Sequence, residues 1–124
     1  MWIYCNKNPL GREVNDCVVR AIALAHNEDW NKVYDELSEY AKQEATLLDD
    51  VTFIEPYLND RYSKTCYRCN KCKMTLKEFM NTHKQGVYLV TMKGHITCVI
   101  DGVVYDTWDC TNKNIWCACE IKKC

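Results

Sequence analysis

The sequence predicts an α+β domain, and three observations carry that prediction. Its earlier part places apolar residues at three- and four-residue spacing, the mark of amphipathic helices. From Gly86 the pattern changes to short runs rich in β-branched and aromatic residues. Between two of those runs stands Asp101-Gly102, a pair that adopts positive φ easily and closes a two-residue hairpin. Helices first and strands afterwards imply a helical part over about 15–83 and an antiparallel sheet over about 86–121.

The chain of 124 residues is long enough for one core and too short for two, so residues 1–124 are expected to form a single domain. A net charge of -1 gives no basic excess of the kind that binds nucleic acid. No apolar run approaches membrane-spanning length, and Met1-Trp2-Ile3-Tyr4-Cys5-Asn6-Lys7 lacks a secretory core, so neither membrane nor export is expected. The expected compartment is the reducing cytoplasm. Ten cysteines there are catalytic, metal-binding or buried rather than a disulfide framework.

In chain order, Trp2-Ile3-Tyr4 is a short strand or a clasp on the core, and Pro9 and Gly11 mark a loop. Asn15-Asp16-Cys17-Val18-Val19-Arg20-Ala21-Ile22-Ala23-Leu24-Ala25 opens a helix that is apolar on nearly every side except at Arg20, so it runs through a core. Asp16 suits the N-cap, which makes Cys17 the first helical residue. His26-Asn27 ends that helix, with His26 capping it or lying at the surface. A second helix from about Asp29 to Glu44 shows one apolar face, formed by Trp30, Val33, Tyr34, Leu37, Tyr40 and Ala41.

Residues 46–58 read as a short helix or turn, punctuated by Asp49-Asp50 and Pro56. Thr75-Leu76-Lys77-Glu78 is a capping-box pattern that starts a helix reaching about His83, with Leu76, Phe79 and Met80 buried. Four strands are expected after it: Val87–Met92, His95–Ile100, Val103–Trp108 and Ile115–Ile121. Cys98, Tyr88, Tyr105 and Trp108 are assigned to packing within that sheet.

Cys17, His95 and Asp106 are the candidate catalytic residues. A thiol at a helix N-terminus meets free N–H groups and the positive end of the helix dipole, which favour the thiolate. With a two-residue turn, Ile100 faces Val103, and counting outward makes Asp106 a diagonal neighbour of His95 on the same sheet face. Asp109 has the wrong parity. A thiolate nucleophile, an imidazole that moves its proton and a carboxylate that orients the imidazole form a complete nucleophilic set. The Cys17 N–H is one oxyanion donor, and a nearby amide such as Asn15 is the candidate for the second, with Asn6 and Asn8 as alternatives that could fold back into the role. Arg20, one turn along, is expected to pair or to serve structure.

Asn15-Asp16-Cys17-Val18-Val19-Arg20-Ala21-Ile22-Ala23, with Gly94-His95-Ile96-Thr97 and Tyr105-Asp106-Thr107-Trp108-Asp109, resembles the small papain-like cysteine peptidase domains of bacteria and their phages. More distantly it is similar to the peptidase domains that trim bacteriocin leaders. The resemblance spans roughly 12–25 and 86–109 and implies a nucleophile heading a central helix packed on an antiparallel sheet. It also implies a cysteine hydrolase needing no cofactor. That family carries a Gln several residues before the nucleophile, whereas Gly11 stands six before Cys17 and residues 1–42 contain no Gln.

The expected function is therefore hydrolysis of an amide, isopeptide or thioester bond in a short peptide, a protein tail or a small acyl conjugate. The alternatives are a papain-fold binding module without turnover, such as a phage protein that sequesters a host factor, and an acyl or amine transferase using the same triad. Cys66, Cys69 and Cys72 stand at C-x-x-C spacing, which suits zinc if a fourth ligand is supplied. Free thiols or an opportunistic disulfide are favoured there over a structural zinc.

Overall fold

A computed structural model describes residues 1–48, 51–62, 64–66 and 73–121, with the backbone alone at 51–53 and 64–66. The elements follow in the order β1 (Trp2–Tyr4), α1 (Cys17–His26), α2 (Trp30–Gln43), α3 (Val51–Arg61), β2 (Lys64–Cys66) and α4 (Leu76–Thr82). The strands β3 (Val87–Met92), β4 (His95–Ile100), β5 (Val103–Asp106) and β6 (Ile115–Ile121) complete the chain. The fold is α+β, as expected.

The sheet differs from the expectation in two ways. Its six strands lie in the order β1-β5-β4-β3-β6-β2, and β1 runs parallel to β5, so the sheet is mixed rather than antiparallel. The helical part is also interrupted by β2, which pairs with β6 at the far edge. Both additions are three-residue strands joined to partners distant in sequence, and such pairings leave no local periodicity to read.

Two apolar layers cover the sheet. On one side Val18, Val19 and Ile22 of α1, Val33 and Leu37 of α2 and Ile54 and Leu58 of α3 pack against Leu89, Ile96, Cys98 and Cys119. On the other, Leu76, Phe79 and Met80 of α4 pack against Val90, Val99, Val104 and Cys110. The α1 helix, being apolar nearly all round, takes the central place on its layer and packs on β3, β4 and α2. Pro56 lies inside α3 instead of ending it.

Local chemistry fixes the ends of the elements that carry the site. Asn27 closes α1 in the left-handed conformation, with φ 52°, and the Glu28 N–H bonds the Ala23 carbonyl. The expected box starts α4: the Glu78 N–H donates to Thr75 Oγ1 at 3.2 Å, and the Thr75 N–H donates to Glu78 Oε1 at 3.4 Å. Asp101 and Gly102 both have positive φ, 50° and 78°, and Ile100 pairs with Val103 across them. That register is the one counted from the sequence.

Candidate active site

The β4–β5 register carries two of the three candidate residues. Val99 faces Val104, so His95 and Thr97 in β4 share a side of the sheet with Val104 and Asp106 in β5. His95 Nε2 and Asp106 Oδ2 are 2.6 Å apart. The diagonal contact anticipated from the hairpin count is present. Nε2 is engaged by Asp106, which leaves Nδ1 as the other ring nitrogen, and Cys17 lies close enough to the imidazole for each to shift the other's pKa. The Ile96 amide also favours the ionised form of the Cys17 thiol.

Asp106 is the most heavily partnered group of the site and is 2% exposed. Its Oδ1 accepts from Arg20 Nη1 at 3.0 Å and from the Thr107 N–H at 2.7 Å, and its Oδ2 accepts from His95 and, at 3.8 Å, from the Cys110 thiol. The Thr97 hydroxyl is fully enclosed and reaches no partner at hydrogen-bond geometry, so it acts on the carboxylate as a nearby dipole. The Asp106 carbonyl is used too, accepting from the Cys5 N–H and from the Trp2 indole.

Asp16 departs from the expected capping role. It is buried, but no side chain caps α1; Oδ1 accepts from Arg20 Nε at 2.7 Å, and Oδ2 accepts from the Trp30 indole at 2.9 Å and from Asn8 Nδ2 at 3.1 Å. The physical reason is competition: a guanidinium and two neutral donors outbid one backbone N–H for the carboxylate. The helix start beside Cys17 is therefore left with its amide dipoles aimed outward. Arg20 pairs, as expected, and it bridges two acids at once.

These neighbours set the protonation states. Burial works to raise the Cys17 thiol, but the His95 hydrogen bond, the Ile96 N–H and the charges of His95 and Arg20 together bring it below its ordinary 9.0. Burial works to lower His95, yet its bonds to Asp106, Cys110 and Cys17 raise it to about 11. Burial likewise opposes ionisation of Asp106, and the His95, Thr97 and Thr107 contacts override it and hold the carboxyl at about 2. Cys98 supplies the contrast, since burial, helped by the nearby Cys5 and Asp106, drives its thiol up to about 12. The shifts favour an imidazolium beside a carboxylate and move the Cys17 thiol towards ionisation.

Cys17 and His95 open onto a groove of about 720 Å³ whose walls include Val18, Trp30, Tyr34, Ile54 and Trp116. Asn15, the candidate second oxyanion donor, is exposed on the rim of this groove. Trp108 was assigned to packing, but it is 40% exposed and its ring lies 4.9 Å from that of His95. The strand ends at Asp106, two residues sooner than expected, which frees Trp108 to fold back over the imidazole. Cys110 and Trp108 both went unassigned to the site from sequence. Each follows Asp106 within four residues, and that proximity was the only signal they carried.

His95, Asp106 and Cys110 are metal-ligand types, and one donor atom of each lies within 4.8 Å of the others. The Arg20 guanidinium already supplies a cation to that carboxylate, which disfavours a second one there. Of the cysteine-rich stretch, Cys69 and Cys72 lie outside the described residues, and of Cys66 only the backbone is described, paired with Cys117. No helix among the described residues is long and apolar enough to cross a membrane. No family model, no curated protein and no solved structure matches this chain.

Proposed function

We propose that this chain is a papain-like cysteine hydrolase with Cys17 as nucleophile, His95 as the proton carrier and Asp106 as the group that orients it. One observation carries the reading: the His95 imidazole, whose Nε2 lies 2.6 Å from a buried carboxylate, lines the same groove as the Cys17 thiol. The Cys17 thiolate attacks the acyl carbon, forming a C–S bond, while the oxyanion meets the uncapped amides at the start of α1. The His95 proton passes to the leaving amine or thiol as its bond to carbon breaks. Water then attacks the acyl-enzyme, gives its proton to His95 and releases the acid, restoring thiolate and imidazolium.

The test is site-mapped alkylation of Cys17 by iodoacetamide across pH, followed by mass spectrometry, in the wild type and in His95→Ala. The expected result is rapid reaction well below pH 9.0 in the wild type and a drop of about tenfold or more in the variant. A Cys17 that reacts no faster than a free thiol and ignores the loss of His95 overturns the reading. A binding module without turnover then becomes the account to pursue.

A further inference from the structure

The groove beside Cys17 also bears on what the enzyme accepts. Its volume of about 720 Å³ lies within the 300–1,000 Å³ typical of small-molecule sites. Trp30 and Tyr34, stacked 5.0 Å apart, form one wall, and Leu48 and Ile54 lie beside them. Among the described residues, the charged groups that reach it are few. Asp16 is already bound by Arg20, Trp30 and Asn8, and His95 is bound to Asp106; Glu55 remains, and no described lysine or arginine lines the groove. A substrate carboxylate or phosphate placed against Trp30 and Tyr34 loses its water and meets no lysine or arginine among the described groove residues.

We propose that the acyl group delivered to Cys17 is uncharged and apolar and long enough to lie against Trp30 and Tyr34. This inference rests on the hydrolase reading above. Two sources supply that chemistry, a medium-chain fatty acyl group and a peptidyl acyl group ending in a large apolar side chain. Each methylene that leaves water contributes ~0.8 kcal/mol, a factor of about four. Partial burial of an eight-carbon chain therefore raises kcat/KM on the order of 100-fold over an acetyl group.

The experiment compares p-nitrophenyl acetate, octanoate and hemisuccinate with the p-nitrophenyl ester of N-acetyl-phenylalanine, all below their aggregation concentrations. Octanoate or the phenylalanine ester should exceed acetate on the order of 100-fold, and whichever leads identifies the source. Hemisuccinate should trail acetate. Leu47, which lines the groove at 73% exposure, can be changed without disturbing the core, and Leu47→Lys should cut the octanoate-to-acetate ratio about tenfold. Equal rates for all four esters, with Cys17 still alkylating fast, overturn the groove assignment and leave the hydrolase reading standing.

Binding without chemistry separates the other failure. In Cys17→Ser, octanamide should change the fluorescence of Trp30 and Trp116, and succinamic acid should not. If no ester turns over but octanamide still binds in this way, the hydrolase reading fails and the apolar site stands. If octanamide does not bind either, both fall.

Discussion

Arg20 Nη1 lies 3.0 Å from Asp106 Oδ1, tying the helix that begins with Cys17 to the strand that ends with the carboxylate. Its Nε holds Asp16 at 2.7 Å, so one guanidinium bridges both buried acids. The Arg20 and Asp106 side chains are only 11% and 2% exposed, and an ion pair so enclosed is costly to break from one side. This strut aligns Cys17 with the His95–Asp106 couple. It does not itself touch the reacting atoms.

Arg20→Met should therefore destabilise the fold by about 3 kcal/mol, since it leaves two carboxylates short of a partner. Arg20→Lys keeps the charge but cannot span both acids with a planar fork, and it should recover less than half of the loss. Urea denaturation of the three proteins at pH 7 measures this. Equal stability of Arg20→Met and wild type would show that the strut contributes nothing.

Stability should depend on pH with a sign that the site dictates. His95 is raised from 6.5 to about 11, so its contribution is full below 6.5 and is lost as pH climbs towards 11. Asp106 is lowered from 3.8 to about 2, so its contribution is full above 3.8 and is lost as pH falls through about 2. Cys17, being lowered, acts in the opposite sense to His95 on the alkaline side, which makes Cys17→Ala the cleaner background. There the unfolding free energy should fall between pH 7 and 10 by up to ~1.4 kcal/mol per pH unit. Adding His95→Gln should remove that slope, and a slope that survives the second change would assign it to other groups.

The hairpin that sets the register is open to a separate test. Gly102 has a φ of 78°, and a Cβ there would lie 3.3 Å from Lys84 Cα, a backbone atom. Gly102→Ala should cost about 1–2 kcal/mol through the left-handed conformation alone. Thermal unfolding reads that loss directly. Asp101→Asn, which tolerates the same conformation, should cost less, and it would weaken mainly the bond that Asp101 Oδ1 receives from the Gly86 N–H at 2.9 Å.

The parts of this site that could be read from sequence share a short range. His95 and Asp106 were placed by counting outward from Asp101-Gly102, because a two-residue turn leaves no freedom of register. The Thr75–Glu78 box and the pairing of Arg20 one turn beyond Asp16 follow equally local rules. What escaped depends on competition or on distance. Asp16 has the residue type of a cap, but stronger donors took its oxygens. The β1–β5 and β2–β6 pairings join segments with no shared pattern, and Trp108 turned over His95 only because β5 stops at Asp106.

The link between Trp2 and Asp106 spans 104 positions, and that between Arg20 and Asp106 spans 86. A chain leaves the ribosome from its N-terminal end, so Cys17 emerges well before the imidazole and carboxylate that sharpen it. During synthesis that cysteine is an ordinary thiol. On the proposed reading, that thiol becomes a nucleophile only once β5 pairs with β1 and the carboxylate reaches Arg20, so an early fragment would lack it.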